Sequence, residues 1–293
     1  MAADETEFKL WFPRYRALPN GACRLRVVCF AGAGGSQSLF TATVRPGCAP
    51  NMLVGLPGVE LLACQLPGRE ERHGQAPMRS AVEVATHVLP LLRGLLATPA
   101  QNDGRRPAGG GDVVPWAVLG HSVGTWLAYE LVLAAQRAGL PPPVRLLLAC
   151  FPPPHLPLEL RPWRASAGLT DPELQTEARR WNINELVLEP AMWAAFAPLL
   201  RADYRLFDEA PVHPIPGTQG SMDLLDCPFT LWFARQDHIT EDLVARWGEL
   251  TAGTSTVQQL EGHHLFVQDA AQKGAWFDAV AAVLLHDAAP APQ

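Results

Sequence analysis

Several things are missing from this 293-residue sequence, and each absence excludes a class of protein. No apolar run approaches 18 residues, so no membrane span is expected. The acidic start (Asp4, Glu5, Glu7) lacks the basic-then-apolar pattern of a signal peptide and the arginine-rich, acid-poor character of a transit peptide. No Lys/Arg cluster is long enough to track a phosphate backbone, and the formal charge is −6, so nucleic acid is not an expected partner. No CxxC pair occurs among the six cysteines. Three of them, Cys29, Cys64 and Cys150, lie in or at the ends of apolar runs and read as buried free thiols, as in a reducing cytoplasm. There is no internal repeat.

What is present is alternation. Leu25–Phe30, Leu61–Cys64, Val113–Leu119, Leu146–Cys150, Phe229–Ala234 and Thr256–Leu260 have the length and apolar character of buried strands. Between them, Met78–Leu96 and Thr125–Ala138 carry apolar residues at helical spacing, and Trp276–Leu285 closes the chain as a last helix. Strands alternating with helices predict an α/β fold with a mostly parallel central sheet flanked by helices. The whole of 1–293 reads as one domain. Two stretches break the rhythm. Gln101–Gly111 is polar and glycine-rich and reads as an exposed loop. Residues 151–220 open on three prolines and hold helical segments around Asp171–Trp181 and Met192–Phe207 without a strand-like run, which suggests an inserted helical lid. Ala288–Gln293 reads as a disordered tail.

Gly120-His121-Ser122-Val123-Gly124 fits GxSxG between a strand-like run and a helical one. That context makes Ser122 a candidate nucleophile, because glycines permit the sharp strand-to-helix turn that lifts a serine hydroxyl above a sheet edge. The alternative is a glycine-rich turn with a surface serine. A base and an acid should follow in chain order. His263 stands just after the last strand-like run and is the expected base, with its neighbour His264 as the rival. Asp237 follows Phe229–Ala234 and is the expected acid, unless it only caps the next helix. Asp223, Asp226 and Asp242 are alternatives. One oxyanion donor should be the Val123 N–H, and the other should come from the small-residue loop Phe30–Ser36 after the first strand. That loop lacks the GK[ST] ending of a phosphate-binding P-loop and does not form GxGxxG with a suitably placed acid.

Taken together, the segments resemble type II thioesterases, the discrete editing enzymes that accompany polyketide, nonribosomal-peptide and fatty-acid synthases. Val28–Ser36 is similar to that family's oxyanion loop. Gln65-Leu66-Pro67-Gly68-Arg69-Glu70-x-Arg72 is similar to its Pro-Gly-Arg segment, and Gly120–Gly124 followed by Ala128-Tyr129-Glu130 to its elbow. Pro198–Tyr204 resembles its lid-helix signature, and Gly262-His263 followed by Phe266 its histidine loop. The sequence departs from the family pattern at Ala31 (usually Pro), Val123 (usually Met), His264 (commonly aromatic) and Ala210 (usually Tyr).

The resemblance implies an α/β-hydrolase fold and a Ser122–Asp237–His263 triad, with Ala33 and Val123 as oxyanion donors. It implies hydrolysis of acyl thioesters through an acyl-serine, with no metal or organic cofactor. The implied partner is an acyl- or peptidyl-carrier protein bearing acyl-phosphopantetheine. The cysteine pattern and the N-terminus point to the cytoplasm, and a monomer is expected although the sequence does not set the oligomeric state. Within the lid, Trp181, Trp193 and Phe196 are the expected substrate-binding residues, and Trp163, Met192 and Phe207 could add to an apolar lining or simply pack the lid. Arg69 and Arg72 could meet an acidic carrier or be solvated, and Arg201 and Asp203 read as structural parts of the lid. Two other readings compete: a carboxylesterase or lipase acting on oxoesters, and a noncatalytic scaffold for carrier proteins.

Overall fold

A computed structural model describes residues 2–19, 21–42, 53–97, 113–208, 210, 212–214 and 224–289. The expected 101–111 loop, Cys48, Asp223 and most of the tail lie outside them.

Six strands form one sheet: β1 (Leu25–Phe30), β2 (Val59–Ala63), β3 (Trp116–His121), β4 (Arg145–Ala149), β5 (Phe229–Ala234) and β6 (Ser255–Leu260). Every pairing is parallel, in the order β2-β1-β3-β4-β5-β6. All six expected strands are present, with ends shifted by a few residues. The helices are α1 (Ala2–Trp11), α2 (Ser38–Thr41), α3 (Ala81–Ala97), α4 (Gly124–Arg137), α5 (Asp171–Arg180), α6 (Glu185–Leu188), α7 (Pro190–Asp208), α8 (Glu241–Ala245) and α9 (Ala270–Asp287). Helices α1 and α2 were not expected from the sequence, and the final helix begins at Ala270, six residues before Trp276.

The sheet separates two cores, as the alternation of side chains along a strand requires. Val28, Phe30, Trp116 and Val118 point to the face covered by α3 and α4. Val27, Cys29, Ala117 and Leu119 point to the face covered by α9. Helix α4 is buried almost all round, from Gly124 to Leu133, because it is packed between the sheet, α3 and the segment that follows β4. Cys29, Cys64 and Cys150 are buried free thiols, and burial raises the pKa of each.

One strand differs from expectation. β6 reads apolar in sequence but lies at the sheet edge, and only Leu260 of its six residues is buried. An edge strand has one neighbour and an open flank, and Ser255, Thr256, Gln258 and Gln259 suit that position. At the other edge, the buried Glu60 of β2 is satisfied by Arg26, the Tyr15 hydroxyl and the Leu18 N–H.

Between β4 and β5 the chain makes α5, α6 and α7, with no strand among the described residues. Arg161 ties this segment together from within. Its guanidinium donates to the carbonyls of Leu156, Pro154, Phe207 and Ala210 and lies over the rings of Trp126 and Trp163.

Strand order also locates the site. β1 leads to β2 on one side and the chain then returns to β3 on the other, so the carboxyl ends of β1 and β3 flank a topological switch point. Open parallel sheets bind ligands in the crevice at such a point.

Candidate active site

Ser122 stands at that crevice. It follows β3 directly, and its φ of 53° is a left-handed conformation costly for a residue with a side chain. The turn is kept tight by its glycines. A Cβ on Gly120 would fall 2.5 Å from the Gly124 carbonyl oxygen, and one on Gly124 would fall 2.3 Å from that of Phe30. The same contact presses the β1 loop against the elbow, where a Cβ on Gly32 would lie 2.9 Å from the Ser122 Cβ. The Ser122 N–H donates to the Ala149 carbonyl, which pins the turn to β4.

The imidazole that reaches Ser122 belongs to His264. Its Nε2 lies 2.8 Å from Ser122 Oγ, and its Nδ1 lies 2.8 Å from Asp237 Oδ2. An ionised carboxylate only accepts, so Nδ1 carries the proton and Nε2 is free to accept from the serine hydroxyl. The expectation that His263 fills this position is therefore corrected. His263 Nδ1 instead accepts the N–H of Leu265, within its own loop. The reason lies in the phase of the chain after β6. Leu260, Gly262, His264 and Phe266 are buried while Glu261, His263, Leu265 and Val267 are more exposed, so even positions face inward. Gly262, at φ 102°, carries that phase through the turn. The period-two spacing of Leu260 and Phe266 is a signal in the sequence that singles out His264.

Asp237 follows β5 at the expected place and also accepts the Ile239 N–H, so it caps locally as well as holding the imidazole. Burial alone would raise its pKa. The adjacent His264, with polar contacts from His238 and the Ile239 N–H, outweighs burial and holds the carboxyl well below the usual carboxylate range. His238 Nδ1 lies 3.1 Å from the other carboxylate oxygen.

Two supporting contacts carry no signal in the sequence. His121, beside Ser122, turns its ring away from the serine, as a tight turn predicts, and donates from Nε2 to the His264 carbonyl at 3.3 Å. Its ring packs among Phe266 and Trp276. Burial, with His264 nearby, pushes its pKa down to about 3, so it is a neutral prop for the histidine loop. From the segment above, the Asn182 side chain accepts the His264 N–H.

The loop after β1 meets α7. Asp203 Oδ2 accepts the Gly34 N–H at 2.6 Å, and both carboxylate oxygens accept from Arg69, whose Nη1 also donates to the Gly35 carbonyl. Glu70 accepts from Ser36 and Gln37 on the same loop. Arg69 and Arg72 are therefore not outward-facing: Arg69 is spent on Asp203, and Arg72 lies over the Trp11 ring and donates to the Gln65 carbonyl. Among the described residues, the N–H groups of Ala33 and Val123 have no protein acceptor, and both residues border Ser122.

A cavity of about 20 Å³ opens on Ser122 and His264, lined by Phe151, Trp181, Leu200, Tyr204 and Phe207 among others. That is room for little more than one water molecule. A second cavity of about 220 Å³ adjoins it past the Gly32–Gly35 loop, with Phe196, Ile183 and Val187 in its wall. Trp181 and Phe196 thus each line a cavity at the site. Trp193 is buried and lines neither, Trp163 stacks on Phe151, and Met192 is exposed.

Residues 109–283, more than half of the chain, match the family model described as "Thioesterase domain". The chain belongs to the thioesterase family. It is therefore a hydrolase of the serine type. The gramicidin S biosynthesis protein GrsT of Aneurinibacillus migulanus is 25% identical to this thioesterase over 262 residues, covering 88% of each chain. Thioesterase PikA5 of Streptomyces venezuelae is 28% identical over 264 residues, covering 89% of this chain and 81% of its own. Among solved structures, the RedJ thioesterase from the prodiginine biosynthetic pathway in Streptomyces coelicolor superposes with a TM-score of 0.70 at 28% identity, covering 94% of this chain and 98% of that one. The shared architecture is an α/β-hydrolase fold.

Proposed function

We propose that this protein is a type II thioesterase that hydrolyses acyl groups from the phosphopantetheine arms of carrier proteins in a polyketide or nonribosomal-peptide assembly line. The observation that carries the reading is the hydrogen-bonded chain Ser122–His264–Asp237 at a strained elbow. The biosynthetic relatives supply the substrate class.

In the first half-reaction His264 Nε2 takes the Ser122 proton as Oγ attacks the thioester carbonyl carbon. The N–H groups of Ala33 and Val123 stabilise the resulting oxyanion. The C–S bond then breaks, the thiolate takes the proton from the imidazolium, and an acyl-serine remains. In the second half-reaction His264 deprotonates a water that attacks the acyl-serine. The ester C–O bond breaks, Oγ recovers a proton, and the carboxylic acid leaves. Asp237 holds the imidazole in the productive tautomer and stabilises its charged form. No step calls on a cofactor.

The helical segment between β4 and β5 acts as a lid over this site. The cavity directly at Ser122 is too small for an acyl chain, so the chain either lies in the adjoining cavity of about 220 Å³ or enters as Trp181 and α7 move apart. The test is a panel of acyl-carrier thioesters set beside p-nitrophenyl esters. Release of acid from the thioesters by wild type, and none by Ser122→Ala, supports the reading. Faster cleavage of the oxoesters would replace it with a carboxylesterase.

A further inference from the structure

Two side chains in the wall of the Ser122 cavity carry buried polar atoms that have no part in the chemistry above. Trp181 and Tyr204 both line that cavity, and both are almost fully buried, at 4% and 3% exposure. Among the described residues, neither the Trp181 Nε1–H nor the Tyr204 hydroxyl has a hydrogen-bond partner. The indole nitrogen can only donate. The phenol stays protonated and able to donate, because burial first, and then the nearby Glu177, Asp203 and Asp208, push its pKa far up. The rest of the wall beyond Ser122 and His264 is apolar: Ala33, Phe151, Ile183, Leu200, Phe207 and Leu265. Buried donors are almost always satisfied, and two orphans on side chains that wall the same chamber call for an acceptor that arrives with the ligand as the wall parts.

We infer that the acyl groups this enzyme is built to remove carry an oxygen function, a hydroxyl or a ketone, within the first few carbons beyond the thioester carbonyl. This rests on the hydrolase reading above and specifies its substrate. Position along the chain follows from the rings. The Trp181 ring centre is 4.6 Å from that of His264, so its edge is close to the reacting carbon, and the Tyr204 ring lies 6.4 Å from Trp181. An unsubstituted alkyl chain would fill the same space and leave both donors without partners. A site with buried donors discriminates against such a chain more sharply than an apolar pocket discriminates between chain lengths.

The experiment compares N-acetylcysteamine thioesters of hexanoate, 3-hydroxyhexanoate and 3-oxohexanoate, which need no carrier protein. Wild type is expected to favour the oxygenated members in kcat/KM by about tenfold or more. Tyr204→Phe and Trp181→Phe should each bring that ratio toward one. Equal kcat/KM across the matched set in wild type would overturn the inference, as would a preference that survives in both variants. Binding of the same three compounds to Ser122→Ala protein, followed by tryptophan fluorescence, gives a second measurement independent of turnover and of how the wall variants fold. Tighter binding of the oxygenated pair supports the inference and equal binding sinks it. If wild type cleaves none of the three thioesters, the hydrolase reading itself fails, while the binding comparison still decides the chamber's preference.

Discussion

Arg69 and Asp203 stand 134 positions apart in sequence and meet in a buried two-pronged ion pair, with Nη2 to Oδ1 at 2.6 Å and Nη1 to Oδ2 at 3.1 Å. The pair joins the loop after β2 to helix α7, and its spare hydrogen bonds hold Gly34 and Gly35, the residues next to the Ala33 N–H. The fastening of helix α7 and the shape of the loop beside Ala33 therefore depend on the same two side chains.

Removing one partner leaves the other charged and buried. Asp203→Ala is expected to lose about 3–5 kcal/mol of stability in urea unfolding. Asp203→Asn, milder in its effect on folding, should lower kcat more than it raises KM, because the loop beside Ala33 loosens. The double variant Arg69→Met/Asp203→Leu should recover much of the stability and little of the kcat. Recovery of both would mean that the pair only fastens helix α7.

Adjacent histidines should separate cleanly. His264→Ala is expected to cut kcat by at least about 10⁴-fold. His263→Ala should stay within a few-fold of wild type, since among the described residues its ring accepts just the Leu265 N–H. Asp237→Asn should cost on the order of 10⁴-fold by favouring the wrong imidazole tautomer. Steady-state kinetics on one thioester checks all three.

Acid should weaken the fold through His121. Its pKa is about 3 in the folded protein, against about 6.5 when exposed. Between those values the unfolded chain binds a proton that the native one refuses, so stability is full above pH 6.5 and falls by a few kcal/mol as pH drops toward 3. His155, whose pKa burial also lowers, adds to the same trend. His121→Asn keeps a donor for the His264 carbonyl without the titration. It should flatten the pH dependence of the urea midpoint across this window, and an unchanged slope would refute the assignment.

The elbow should tolerate no Cβ at Gly124. Gly124→Ala meets the Phe30 and Ala31 carbonyls at 2.3 and 2.8 Å, both of them backbone. The expected loss is about 3 kcal/mol with activity abolished, whereas alanine at the open Gly94 of α3 should be neutral or stabilising. Thermal unfolding of the two variants side by side gives the comparison.

The parts of this molecule that were legible in advance are those governed by local pattern. Buried parallel strands announce themselves as short apolar runs, and GxSxG between such a run and a helix places Ser122 within the fold. The exposed edge of β6 was not legible, because Val257 and Leu260 resemble an interior strand until the sheet order is known. The choice between His263 and His264 depended on carrying the inward phase from Leu260 to Phe266 across Gly262. The family pattern of a single histidine pointed to the earlier residue. The Arg69–Asp203 pair is a contact between distant segments, and each residue alone looked like surface or lid. Arg161 gave no signal, because its partners are backbone carbonyls that any sequence would supply.

The fit of Phe207, Trp181 and Tyr204 around Ser122 has a practical consequence for catching the enzyme with its acyl group. If the chain enters between Trp181 and α7, a preformed crystal whose packing holds those walls still will not take it up by diffusion. A trapped complex must then be made in solution first, with the serine already acylated or replaced, and crystallised afterwards in whatever lattice the opened form prefers.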